Sequence, residues 1–329
     1  MMRKIFFTML VLGCALMAKA QNEMLSAILQ TGDEVTMYTG VDAFKNAYND
    51  AADEGSIITL SPGTFTVSST SIEKSVTVYG AGWEEDADKG ITPTIINSSL
   101  LYLQKSNIKL EGLYVNGNIQ IVNSTSGILI DRCRFNYLSY SASSLDDAAD
   151  NIMIRRCYFG GIQGTGNYGV WRYITNLRVE NCYLYDIFQG GGTQILFDHC
   201  IMLKGSKTYA ALYTNCILAT TGVENNATLK NCICIFSEPE AATGVISTGC
   251  WFGVSSDDIF SEEGGYTYDA TRTFELSDPD TYSGLDGKPV GISGGNFPWY
   301  KIPSIPIVKS LQLGLDGLNL NVTYETEAR

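Results

Sequence analysis

The adjacent carboxylates Asp146 and Asp147, with Asp150 just behind them, are the residues whose type and spacing could hydrolyse a glycosidic bond, and Arg155 and Arg172 could assist. Such hydrolysis uses two carboxyl groups whose separation sets the stereochemical outcome. The Ala/Ser-rich surroundings of the pair favour a solvated loop over a catalytic dyad. The other acidic groups, Glu84-Glu85-Asp86 with Asp88, Asp257-Asp258 and Glu262-Glu263, lack the spacing of a calcium-binding loop. One histidine, His199, excludes a multi-histidine metal site. Gly190-Gly191-Gly192 has no lysine and no helix context for a phosphate loop. Binding is the richer possibility. Tyr137, Tyr140, Tyr168, Trp171 and Tyr173 could stack on the apolar faces of sugars. Arg155, Arg172 and Arg178 nearby could pair with a carboxylate or sulfate, which would suit an acidic glycan. The alternative is that tyrosine simply suits a β-surface.

What must position these residues is a repeat anchored on cysteine. An apolar-x-apolar pair, two turn residues and Cys-x-apolar recur at Ile128–Phe135, Ile152–Phe159, Leu177–Leu184 and Ile195–Met202. Looser copies end at Cys216, Cys232 and Cys250, and Ile108–Val115 carries Leu113 in the cysteine slot. Successive anchors are 20, 24, 25, 18, 16, 16 and 18 residues apart. The phrase has period two, which excludes helical repeats, and it lacks the consensus of leucine-rich repeats. Such runs bury their apolar side only by stacking in parallel ladders about 4.8 Å apart. The two longest coils lie between Cys133 and Cys182, so their extra residues must bulge from one flank, where solenoids place binding loops.

Stacked side chains in one slot point the same way, which opposes disulfides between neighbouring coils and predicts buried free thiols. His199 falls in the turn slot that also holds Arg132, Arg156, Asn181, Asn215, Asn231 and Gly249. A structural role, with side chains hydrogen-bonded along the stack, is therefore expected of it.

Ahead of the repeats, residues 42–52 (DAFKNAYNDAA) form an amphipathic pattern with Asp42 as cap, suited to cover the open solenoid end. Gly55–Val67 (GSIITLSPGTFTV) resembles the first coil of the pectate-lyase-like β-helix superfamily, and Ser75–Gly82 (SVTVYGAG) continues the likeness. With the repeats the resemblance covers roughly residues 41–260. It implies a right-handed parallel β-helix and leaves activity open, because the superfamily holds lyases, hydrolases, epimerases and adhesins. Its hydrolase signatures and the lyase Arg-x-Pro-x-x-Arg signature are missing here. Calcium is expected only if the chain is a lyase. Residues 290–307 resemble the closing segment of uncharacterised secreted β-helix proteins of Bacteroidetes. Beyond them, two alternating runs around Asp316-Gly317 predict a β-hairpin.

The chain starts with Arg3 and Lys4, an apolar run from Ile5 to Leu12 and Ala18-Lys19-Ala20, the pattern of a cleaved export signal. Cys14 after Leu12-Gly13 offers a competing lipid-anchored reading. Loss of residues 1–20 takes the net charge from −13 to −16, with 19 basic against 35 acidic residues. That balance argues against nucleic acid as a partner, and no later run is apolar enough to cross a membrane.

The expected chain is thus all-β: a signal peptide over 1–20, a lead segment over 21–40, a β-helix of about ten coils over 41–300 and a hairpin extension over 301–329. Its expected role is secreted, periplasmic or cell-surface glycan binding, without cofactor, metal or standard catalytic centre. A lyase or hydrolase using Asp146, Asp147 and Arg155 or Arg172, and an adhesin or structural surface protein, are the alternatives.

Overall fold

The computed structural model describes residues 25–67, 70–85, 92–122, 124–140, 147–164, 174–186, 193–204, 211–220, 222–223, 225–238, 243–269, 271–299, 307–316 and 319–327. The chain is a parallel β-helix. Among the described residues ten strands stack in parallel in the first sheet, from Glu54–Leu60 to Ile246–Thr248. The second sheet runs in step from Gly63–Thr66 to Trp251–Phe252. A shorter third stack, Thr70–Ile72, Leu100–Leu103 and Asn118–Ile121, pairs onto the far half of Arg134–Tyr140.

The core is a set of columns of like slots. Ile130, Ile154, Val179, Phe197, Tyr213 and Leu229 form one, and Cys133, Cys157, Cys182, Cys200, Cys216 and Cys232 another, all at most 1% exposed. Each turn-slot residue before these anchors, from Gly112 to Gly249, is left-handed, with φ between 48° and 69°. That explains the run of asparagine and glycine there, the residues that tolerate this conformation. A second left-handed column among the described residues, Asn107, Gly127, Asn151, Asn176, Gln194, Asn226 and Gly244, sits before the first inward residue of these coils. The same Asn/Gly signal stands in the sequence just ahead of most of the phrases, with Gln194 and Ala210 as the exceptions.

Cysteine suits its slot for a specific reason. The Cys133 and Cys157 backbone N–H groups donate to the sulfur of the next coil at 3.4 Å, and each thiol donates to the carbonyl two residues back. A buried polar backbone at the bend is thereby satisfied by a small, otherwise apolar side chain. All eight described cysteines are free. Burial pushes the Cys133, Cys182, Cys216 and Cys232 thiols well up, so they stay protonated. Alkylation of the denatured, unreduced chain cleaved before Gln21 should label all eight, counted by mass; any shortfall means a bridge.

At the N-terminal end, Ala43–Asp50 (α1) buries Ala43, Phe44 and Ala47 over the core, with Phe44 edge-on to Phe65 at 6.4 Å. Asp42 holds the N-cap position, but its side chain makes no capping hydrogen bond, contrary to expectation. The other end is fastened: Lys74 Nζ donates to the carbonyls of Tyr48, Asn49 and Ala51 at 3.1, 2.9 and 2.6 Å. The expected lead segment is instead a hairpin, Ser26–Thr31 with Glu34–Thr39. Its first strand pairs antiparallel with the first coil, Ala27 opposite Leu60. Gly32-Asp33 between two alternating runs was the available signal.

Two boundaries differ from expectation. The stacked strands end at Phe252, and residues 254–299 run back as a strap over the outer face of the second sheet. Ile259, Phe260, Phe274, Leu276, Val290 and Ile292 of this strap bury Tyr183, Ile201, Ile217 and Ile233. Those outward residues are apolar and would otherwise face water. Beyond it, Ile307–Asp316 and Asn319–Glu327 form the expected hairpin, paired only with each other among the described residues. Asp316 pairs with Asn319 at the closed end of this hairpin.

Candidate functional site

Asp147 precedes the strand Ala149–Arg155, and Arg155 stands at its far end. Asp150 accepts from Thr175 Oγ1 at 2.6 Å and Asn176 Nδ2 at 3.0 Å. Asp146, Tyr168, Trp171, Arg172 and Tyr173 lie outside the described residues, as do residues 1–20 with Cys14 and Gly190 to Gly192. Tyr140 must be removed from the ligand-binding set: it pairs in register with Ile121, occupies an inward slot and is 1% exposed. A ring buried in the core cannot stack on a sugar.

Arg155 belongs to an ion network at the bend after the first sheet. In this column Glu111, Asp131, Arg155, Glu180 and Asp198 follow one another in register. Asp131 is fully buried and accepts from Arg155 Nε and Arg156 Nε, each at 2.8 Å, as well as from Arg156 Nη2. Arg132 pairs with Glu111 at 3.0 Å. The Phe297 ring of the strap lies over both guanidiniums, 4.7 Å from Arg155 and 5.5 Å from Arg156. Such a dense, internally matched cluster holds the strap down.

His199 is beneath the same strap. Its Nδ1 is 3.1 Å from Asp198 Oδ1, its Nε2 is 3.6 Å from Asp286 Oδ2, and 1% of the residue is exposed. A Cβ on Gly295, where φ is 74°, would meet the imidazole at 3.0 Å. No substrate can reach that ring. Bonding along the stack is present in this slot, where Asn215 Nδ2 donates to Asp198 Oδ1 of the preceding coil at 3.3 Å, but the asparagines also serve the strap. Asn181 Nδ2 donates to Ile292 O and Gly294 O at 3.1 and 2.8 Å, Asn231 Nδ2 to Ser283 O at 3.2 Å, and Asn215 Oδ1 accepts from Leu285 N at 2.9 Å.

The remaining part of the second sheet's outer face is covered only in part: Tyr268 of the strap packs on the Tyr158 ring at 4.3 Å, and Tyr114 borders the same buried cluster. Tyr114, Arg134 and Tyr158 are adjacent in register and partly exposed. The Arg134 guanidinium lies 4.8 Å from the Tyr114 ring and 5.2 Å from the Tyr158 ring. Tyr158 is itself closely packed, with Tyr268 at 4.3 Å, Tyr185 at 5.1 Å, Tyr183 at 5.4 Å and buried Trp83 at 5.8 Å. Exposed amides from Asn97 and Asn116 line the next row and bond each other at 3.3 Å. Sequence reasoning passed over this row because it concentrated on the long coils. Its signal was the x position of Cys-x-apolar, which reads Tyr114, Arg134, Tyr158 and Tyr183.

Tyr137 is the one described aromatic candidate that stays at the surface, beside this row. Its hydroxyl donates to Asp186, whose other oxygen takes Lys204 Nζ at 3.0 Å. The hydrogen bond to Asp186, then burial and that carboxylate's charge, pushes the phenol up to about 12. A raised folded pKa means the bond's stabilisation is whole below the ordinary phenol range of about 10 and fades as pH climbs through about 12. In an absorbance titration, Tyr137→Phe should therefore delete a phenolate step near pH 12 and leave the earlier steps in place.

A shallow hollow of about 390 Å³, lined by Leu203, Asp257, Gly264, Gly265, Tyr266 and Thr267, opens between the last coils and the strap. Among the described residues no three His, Cys, Asp or Glu side chains are grouped to hold a metal ion. No described helix is long and apolar enough to cross a membrane. Compared with protein-family models, with curated proteins and with solved structures, the chain matches none.

Proposed function

We propose that this chain is a secreted or surface-exposed β-helix protein that binds glycans on the partly exposed flank of its second sheet, and that it works without a standard catalytic centre. The observation that carries this reading is the row Tyr114, Arg134, Tyr158 and Tyr185, partly exposed on a rigid sheet beside the Asn97 and Asn116 amides. Aromatic faces match the C–H faces of sugars, and amides match their hydroxyls. Coils about 4.8 Å apart present such groups as a regular track, suited to a chain-like ligand. The export pattern of residues 1–20 supports a location where glycans are met. The likeness of residues 55–82 to the pectate-lyase-like superfamily, and of residues 290–307 to secreted β-helix proteins of Bacteroidetes, supports the same setting.

A glycan array probed with the chain from Gln21 onward is the direct test. Binding to at least one glycan class is expected, and Tyr114→Ala should weaken it about three- to tenfold, the worth of one stacked ring. Absence of binding across the array sinks the reading, as does release of reducing ends or unsaturated sugars from a bound polysaccharide.

A further inference from the structure

We propose that Arg134 is the receptor for an anionic group on the bound glycan, either a uronate carboxylate or a sulfate ester; this rests on the glycan-binding reading above. The first ground is an exception among the arginines. Arg132, Arg155, Arg156, Arg178 and Arg272 each pair with a carboxylate, from Glu111, Asp131, Asp131, Glu180 and Glu262 respectively. Arg134 pairs with no carboxylate among the described residues, in a chain where acidic residues outnumber basic ones 35 to 22.

The nearby acids have other partners. Glu84 accepts the Tyr268 hydroxyl, and Asp186 accepts the Tyr137 hydroxyl and the Lys204 ammonium. Arg134 is instead set between tyrosine rings from the coils before and after it. Stacking against rings satisfies the faces of a guanidinium and leaves its N–H edges to bond outward. An edge of two parallel N–H donors fits the paired oxygens of a carboxylate or sulfate, and the charge survives at any physiological pH. The Tyr114 ring would then contact the sugar that bears the anion, so charge and stacking act on one residue of the glycan.

The test titrates the chain with oligosaccharides matched except for charge: oligogalacturonate against its methyl ester, and chondroitin sulfate against desulfated chondroitin. The charged member of at least one pair should bind about ten- to a hundredfold tighter, the range expected of a charge-assisted bidentate contact. A gap in the first pair assigns the carboxylate, and a gap in the second assigns the sulfate. Arg134→Gln should close that gap while weaker binding of the neutral member persists, and Arg134→Lys should restore it only in part. A melting temperature unchanged in Arg134→Gln guards against misfolding, and Arg134→Lys, with its charge retained, provides a second reading. Equal binding within both pairs, or a gap that survives Arg134→Gln, overturns the assignment and leaves glycan binding intact. Failure of the wild-type chain to bind any of the four overturns the assignment, while the glycan-binding reading itself falls only if the array is also negative.

Discussion

Replacement of Asp131 by alanine should destabilise the protein by about 3–5 kcal/mol, read as a fall in the urea midpoint. The side chain has no solvent exposure, and two arginines from the next coil converge on it. Removing it leaves those guanidiniums close together, partly buried and without their anion, which is the costly way to break an ion pair. The cost should not stay local. Phe297 rests on both guanidiniums, so hydrogen exchange should quicken in the strap near residue 297 as well as in the coils around Cys133 and Cys157. Asp131→Asn retains one acceptor and should fall between the two. A loss below about 1 kcal/mol in Asp131→Ala would show that the cluster is a surface ornament rather than the fastening of the strap.

Phe159→Ala should cost a similar amount, about 3–5 kcal/mol, by a different route. Phe159 is fully buried and stacks on Phe135 of the preceding coil with centroids 4.8 Å apart and planes 20° from parallel. Adjacent coils are held in register by the strands on either side, so they cannot collapse into the space a ring vacates. Transfer and cavity terms therefore add. Phe159→Leu fills most of that space and should cost under about 1.5 kcal/mol. Chemical denaturation of the two variants side by side measures the difference. Equal losses would mean that the ring stack, and not the filled volume, is what the site requires.

The difference between what could and could not be read ahead of the fold is clearest in single residues. Cys157 and Phe159 were legible because each recurs at a fixed place in a phrase, and stacking turns a recurring place into a column. Tyr140 was misplaced because strict alternation fails in its strand. Phe135 and Leu138 both point inward, so the chain bends between them and the inward phase shifts by one residue. That shift carries Tyr140 into the core and leaves Tyr137 outside. Arg155 was misread as a catalytic candidate because its partner, Asp131, is 24 residues away in sequence and directly opposite in register.

By itself, then, the amino-acid sequence determined the stacked coils, the free cysteine column, the helical cap and the terminal hairpin. Each of these depends on local periodicity or on a slot repeated from coil to coil. Only the tertiary structure decided which outward faces stay open to a ligand. Residues 254–299 carry no repeat, and where they land is set by long-range burial against Ile201, Ile217 and Ile233 and by the Asn181, Asn215 and Asn231 side chains. Covering that stretch of the second sheet fully, and Tyr158 through Tyr268 only in part, is what leaves Tyr114, Arg134 and Tyr158 partly exposed.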